Sequence, residues 1–167
     1  MNPARFTSGG APHMPPQVTV AGVMQQVLLA LVPGIVAHAW FFGPGILVQI
    51  FLAVAFAIGF EAIMLKVRSQ PLRPFLGDYS AVVTAVLFAL CIPPLAPWWI
   101  ALIAMLFAIV VAKHLYGGLG NNVFNPAMVG YVVVLISFPQ VMTQWLPPGE
   151  IAETVPGLSA TLSAILT

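Results

Sequence analysis

Three glycines and three asparagines crowd one short stretch of this chain, GGLGNNVFNPAM at residues 117–128. The chemistry it offers is hydrogen bonding rather than acid–base or nucleophilic catalysis. Asn121, Asn122 and Asn125 each carry an amide that both donates and accepts. Gly117, Gly118 and Gly120 permit tight turns and let another group come close to the backbone. Asn125 stands directly before Pro126, the order expected of an N-cap followed by a first-turn proline. A helix start also presents free N–H groups with partial positive charge. A planar ligand with carbonyls and ring nitrogens suits this set, and so does an ordinary interfacial turn capping two helices. The spacing leaves both open. It is not a dinucleotide fingerprint, because no strand precedes the glycines and Pro126 opens the helix.

Few other residues carry chemistry. Cys91 is the one cysteine, so the chain alone holds neither a disulfide nor a four-ligand iron–sulfur cluster, and Cys91 reads as a small buried hydrophobe. His38 lies within an apolar run, where ionisable groups are functional suspects. A neutral imidazole hydrogen-bonded to a neighbouring helix is the expectation for it. His114 reads as an interfacial anchor, with a proton shuttle as the alternative. Asp78 is placed to cap the helix that follows it, with a role in an ion pathway as the alternative.

The elements that position these residues are membrane helices. The chain has 167 residues, 60% hydrophobic and 5% charged, with a mean hydropathy of +1.03. About a quarter of a soluble domain is charged. No water-facing surface can be built from this composition, and a net charge of +1 gives no footprint for nucleic acid. Residues 1–17 read as a flexible polar arm, not a signal peptide. Five apolar runs follow, at 18–40, 46–65, 79–92, 98–115 and 126–142. FFGPG (41–45), the basic KVRSQPLRP (66–74), PPLAP (93–97) and the glycine–asparagine stretch separate them. The third run is short, covering about two-thirds of a ~30 Å hydrocarbon core. The expected fold is thus an all-α integral membrane protein, with a five-helix domain over 18–142 and a tail over 143–167.

Lys and Arg set the orientation. Arg5, Lys66, Arg68, Arg73 and Lys113 all fall on one side of this layout, whereas the other side carries only Glu150 and Glu153. Positive residues stay in the cytoplasm. The N-terminus and the loops at 66–77 and 117–125 are therefore expected there, with residue 150 outside.

Four stretches carry a family resemblance: LVPGIVAHAWFFG (31–43), SAVVTAVLFALCIPPLAPWW (80–99), AKHLYGGLG (112–120) and GGLGNNVFNPAMVGYVVVLISFP (117–139). Together they resemble the RnfD family, membrane subunits of the Rnf ion-translocating electron-transport complex, and the related NqrB subunit of the sodium-pumping NADH:quinone reductase. The resemblance runs from about residue 18 to 157 and includes the irregular segments. It implies a bacterial inner-membrane protein that works beside other Rnf membrane and peripheral subunits. It implies one half of a two-repeat, ten-helix architecture. It also implies an electron carrier in ferredoxin/NAD oxidoreduction, coupled to movement of sodium ions or protons, with no acid–base catalytic residue of its own. Two cofactors are implied: a non-covalent riboflavin, and an FMN joined to a threonine through a phosphoester. By the same resemblance the riboflavin site comprises Asn122, Asn125, Ala127 and Met128 with Gly117, Gly118 and Gly120, and Val86 adds an apolar wall. The tail's GLSATLS (157–163) contains Thr161, but its SAT spacing is one residue short of the family's motif, so FMN attachment is expected beyond residue 167. A transporter module without redox chemistry, or a scaffold, would share the interrupted apolar runs.

Overall fold

The computed structural model describes residues 19–116, 123–149 and 156–167, and every regular element among them is helical. Helix α1 spans Val20–Phe42. It begins where the Thr19 hydroxyl accepts from the Gly22 amide at 3.2 Å, and it stops at Gly43, whose φ of 86° disfavours any side chain. Pro44 then starts α2, Gly45–Val67. At 23 residues each, both helices reach about 35 Å, enough for a ~30 Å core.

The third apolar run is preceded by a short helix that its basic flank did not announce. Helix α3 covers Leu72–Leu76, Tyr79 turns the chain with φ 61°, and α4 covers Ser80–Cys91. Eight of the twelve α4 residues are buried. The short helix therefore does not face lipid; it packs against α1, α2 and α6. Helix α5, Trp98–Met105, continues without a break as a π-helical segment, Leu106–Leu115.

The expected fifth run at 126–142 is not one helix. Helix α6 covers Pro126–Ser137, Phe138 leaves helical geometry at φ −134° and ψ 55°, and α7 covers Pro139–Met142. Pro139 explains the break, since it supplies no N–H and pushes the preceding residue out of the α region. Twelve residues reach about 18 Å. Four stretches are long and apolar enough to cross a membrane: Val20–Phe42, Gly45–Val67, Leu72–Cys91 and Trp98–Leu115. Within the expected tail, Leu158–Leu166 forms α8, which rests on α2.

Small residues bring the helices together. Ala53 and Ala57 of α2, Ala85 and Ala89 of α4, and Ala101 and Ala104 of α5 are all fully buried. A Cβ on Gly130 would stand 2.6 Å from the Ala104 carbonyl oxygen, so glycine is what allows α6 to lie against α5. Buried Gln49 satisfies the broken PPLAP segment, its amide nitrogen donating to Ala96 O at 2.6 Å and Pro94 O at 3.4 Å. Irregular backbone at membrane depth needs such protein partners.

Two expectations need correction here. Cys91 is exposed, because it falls on the outward side of the last turn of α4 while Phe88, Ala89 and Ile92 take the core. His38 has no hydrogen-bond partner for either ring nitrogen among the described residues. Its ring is held instead by aromatic neighbours, Phe42 at 5.0 Å and Trp145 at 6.3 Å between centroids.

Candidate functional site

The π-helical segment and α6 diverge where the chain leaves one for the other, and a cleft of about 700 Å³ lies between them. Val111, Ala112 and Tyr116 form one wall; Asn125, Met128 and Val132 are among those forming the other. The lining is apolar apart from Asn125 and the Tyr116 hydroxyl. Asn125 caps α6 as its position before Pro126 requires, its Oδ1 accepting from the Ala127 amide at 3.0 Å. The side-chain NH₂ remains, and it donates to no described residue. Tyr116 and Met128 are 59% and 47% exposed, so the cleft mouth is open to a ligand.

The sequence-derived site residues divide into three groups. Asn125 and Met128 stand on the cleft. Ala127 points the other way, into the core with Ala104 and Val134, and Val86 is buried in α4 away from the cleft lining. Gly117, Gly118, Gly120 and Asn122 lie outside the described residues, between the two walls in sequence. Thr161 is 1% exposed, so its hydroxyl is closed to a bulky phosphoester. Among the described residues no group of three His, Cys, Asp or Glu side chains gathers to hold a metal ion.

A second constellation sits beside the cleft, and no sequence motif pointed to it. The Lys113 ammonium donates to both Glu61 carboxylate oxygens, at 2.5 and 2.6 Å, and to the Ser80 hydroxyl at 2.7 Å. Ser80 in turn donates to Asp78 Oδ1 at 2.6 Å, and its backbone N–H donates to the same oxygen at 2.8 Å. Glu61, Ser80 and Lys113 are 2%, 4% and 4% exposed. His114 Nε2 is buried without a hydrogen-bond partner and lies 3.9 Å from Glu61 Oε1. Arg68 closes the group from outside, donating to the His114 carbonyl at 3.1 Å. Helices α2 and α4 and the π segment each contribute, so only the packed bundle assembles the cluster.

This arrangement corrects two expectations. Lys113 is not a surface charge that orients the chain, since it is buried and paired with Glu61. His114 is not an interfacial anchor, because the π register turns it inward with Lys113. A signal was available: Glu61 is the lone acid in an otherwise apolar run, and a charge at membrane depth implies a partner.

A family model described as the NQR2, RnfD, RnfE family matches residues 7–165. The chain is 54% identical to the RnfD component of the ion-translocating oxidoreductase complex of Escherichia fergusonii and 51% identical to that of Citrobacter koseri. It is 52% identical to the protein of the same name from Salmonella typhimurium. Each comparison covers 162 residues, 97% of this chain and 46% of the relative. The chain thus spans about half the length of the curated relatives it matches. With nearly its whole length matched, the chain belongs to the NQR2, RnfD, RnfE family.

Proposed function

We propose that this chain is the flavin-carrying portion of a membrane subunit of an Rnf-type ion-translocating oxidoreductase. In this reading it sits in the bacterial inner membrane among the complex's other subunits. It passes electrons across the membrane in ferredoxin/NAD oxidoreduction, coupled to sodium-ion or proton movement. The chain crosses five times, with α6 and α7 together making the shortened fifth crossing, and forms one of two five-helix repeats. The N-terminus is cytoplasmic and residue 150 is outside. Exposed Lys66, Arg68 and Arg73 support that orientation.

The cleft beside Asn125 carries the proposal. Its volume of about 700 Å³ falls within the ~300–1,000 Å³ of small-molecule sites, which are mostly apolar with a few placed polar groups. A neutral isoalloxazine ring fits that description, with an apolar body and one edge of carbonyls and ring nitrogens. The free Asn125 NH₂ donates to that edge, and Asn122 adds a second amide. The glycines let backbone approach the ring, and Met128, Val132 and Tyr116 cover its apolar part. Ala127 and Val86 act from behind, Ala127 by seating the start of α6 and Val86 through the packing of α4. Riboflavin supplies the electron-accepting ring when bound; the protein's part is to hold it and keep water from its apolar side. FMN we assign to a threonine outside these 167 residues.

Losing one amide that pairs with a buried carbonyl costs about 1–3 kcal/mol, a tenfold to hundredfold loss of affinity. Asn122→Leu should therefore deplete the extractable riboflavin of the purified complex and leave phosphoester-bound FMN in place. A normally assembled Asn122→Leu complex with its full riboflavin would reduce the stretch to a helix-capping turn.

A further inference from the structure

The Asp78–Ser80–Lys113–Glu61 cluster forms an unbroken line of donors and acceptors from the surface to the membrane interior. Asp78 is partly exposed, Ser80 bridges it to Lys113, and Lys113 touches both oxygens of Glu61. A structural ion pair needs only its two charges. Here a hydroxyl that both donates and accepts is inserted between the pair and the one carboxylate with access to water. Beyond Glu61 the line has a further acceptor, His114 Nε2, which is buried without a partner 3.9 Å away.

We infer that these four side chains are a proton relay that charges Glu61 from the aqueous side. This deepens the ion-translocating reading above and rests on it for its physiological role. The transfer balances at each atom. Lys113 gives one N–H proton to a Glu61 oxygen and is left as a neutral amine. The Ser80 hydroxyl turns and gives its proton to that amine, while Ser80 Oγ takes the proton of an Asp78 carboxyl that water has protonated. Asp78 returns to carboxylate, Lys113 to ammonium and Ser80 to hydroxyl, and Glu61 holds one proton more. Rotation of the carboxyl toward His114 Nε2 carries that proton on. Arg68 keeps the His114 backbone in place. It is the other charged group facing the cluster among the described residues and takes no proton itself.

The relay is tested by following protonation of Glu61 itself. The purified complex in lipid vesicles is given a rapid pH drop, and the carboxyl band is followed by time-resolved infrared spectroscopy. The band is assigned by its loss in Glu61→Gln. Ser80→Ala removes the bridge without touching the Glu61–Lys113 contacts, and Ser80→Thr keeps a hydroxyl. Ser80→Ala and Asp78→Asn should each slow protonation by about a hundredfold, the scale of a lost proton-transfer group. Ser80→Thr should remain close to the wild-type rate, and added formate should restore Asp78→Asn. A merely structural serine would behave otherwise, because loosened packing admits water and speeds protonation. Ser80→Ala at or above the wild-type rate therefore overturns the relay. The readout needs neither electrons nor flavin. Slowed protonation with undiminished ion movement would keep the relay and remove ion translocation from this bundle.

Discussion

Lys113→Met removes the ammonium that touches both oxygens of Glu61, and the size of the effect follows from where the pair lies. The two side chains are 5% and 2% exposed, so water does not take the place of the lost partner. Breaking a buried pair from one side destabilises by roughly 3–5 kcal/mol, most of it the desolvated charge left behind. At about 1.4 kcal/mol per factor of ten, the folded fraction at a given denaturant level shifts by two orders of magnitude or more. Glu61→Leu leaves the ammonium stranded and should be comparably harmful. The double variant Glu61→Leu/Lys113→Met strands neither charge, and replacing a buried pair by apolar groups is often neutral or stabilising. It should recover most of the loss while still failing to move ions. Unfolding of the detergent-purified complex, followed by circular dichroism with denaturant, reads all three variants. Single variants within about 0.5 kcal/mol of wild type, or a double variant as poor as the sum of the singles, would refute a buried, mutually neutralising pair.

Gly130→Ala places a methyl 2.6 Å from the Ala104 carbonyl oxygen. Backbone on both sides must shift, so a loss of about 1–3 kcal/mol is expected in the same unfolding assay, and wild-type stability would contradict the close α5–α6 crossing. His38→Phe should leave stability unchanged or raise it, because both ring nitrogens are buried without partners and an unsatisfied buried polar group carries a desolvation penalty of about 1–3 kcal/mol; a clear loss would point to a partner that binds the imidazole. In a Cys91→Ser background, cysteines at Ser8 and Ser159 should label from opposite faces of sealed cells, and labelling from one face would rule out five crossings.

The parts of this structure legible in the sequence were those with local causes. Continuous apolar runs located α1, α2 and the α5–π stretch, and the Asn–Pro pair located both the start of α6 and its cap. The prolines and glycines at 43–45 and 93–97 marked real breaks. The short third run was visible as too short to cross alone, and burial of its residues agrees with a place inside the bundle. Other features depend on tertiary packing. Glu61 and Lys113 are 52 residues apart, and their pairing is decided by how α2 meets the π segment. Nothing in LFAIVVAKHL distinguishes π from α register, yet that register turns Lys113 and His114 inward and leaves Val111 and Ala112 on the cleft. Pro139 was in plain view, but the hydropathy of the surrounding residues masked it, so one long helix was expected where two short ones stand. Of the expected flavin residues, Asn125 and Met128 reached the cleft because α6 begins where its cap demands. Ala127 did not, since neighbouring positions on a helix face different sides.

A density map of the complete complex, prepared with its flavins retained, tests the central claim most directly. The account predicts an isoalloxazine ring without a phosphate in the cleft between Tyr116 and Met128, its carbonyl edge within hydrogen-bond distance of the Asn122 and Asn125 amides. A cleft filled by a lipid tail or by another protein segment, with riboflavin bound elsewhere, would contradict it.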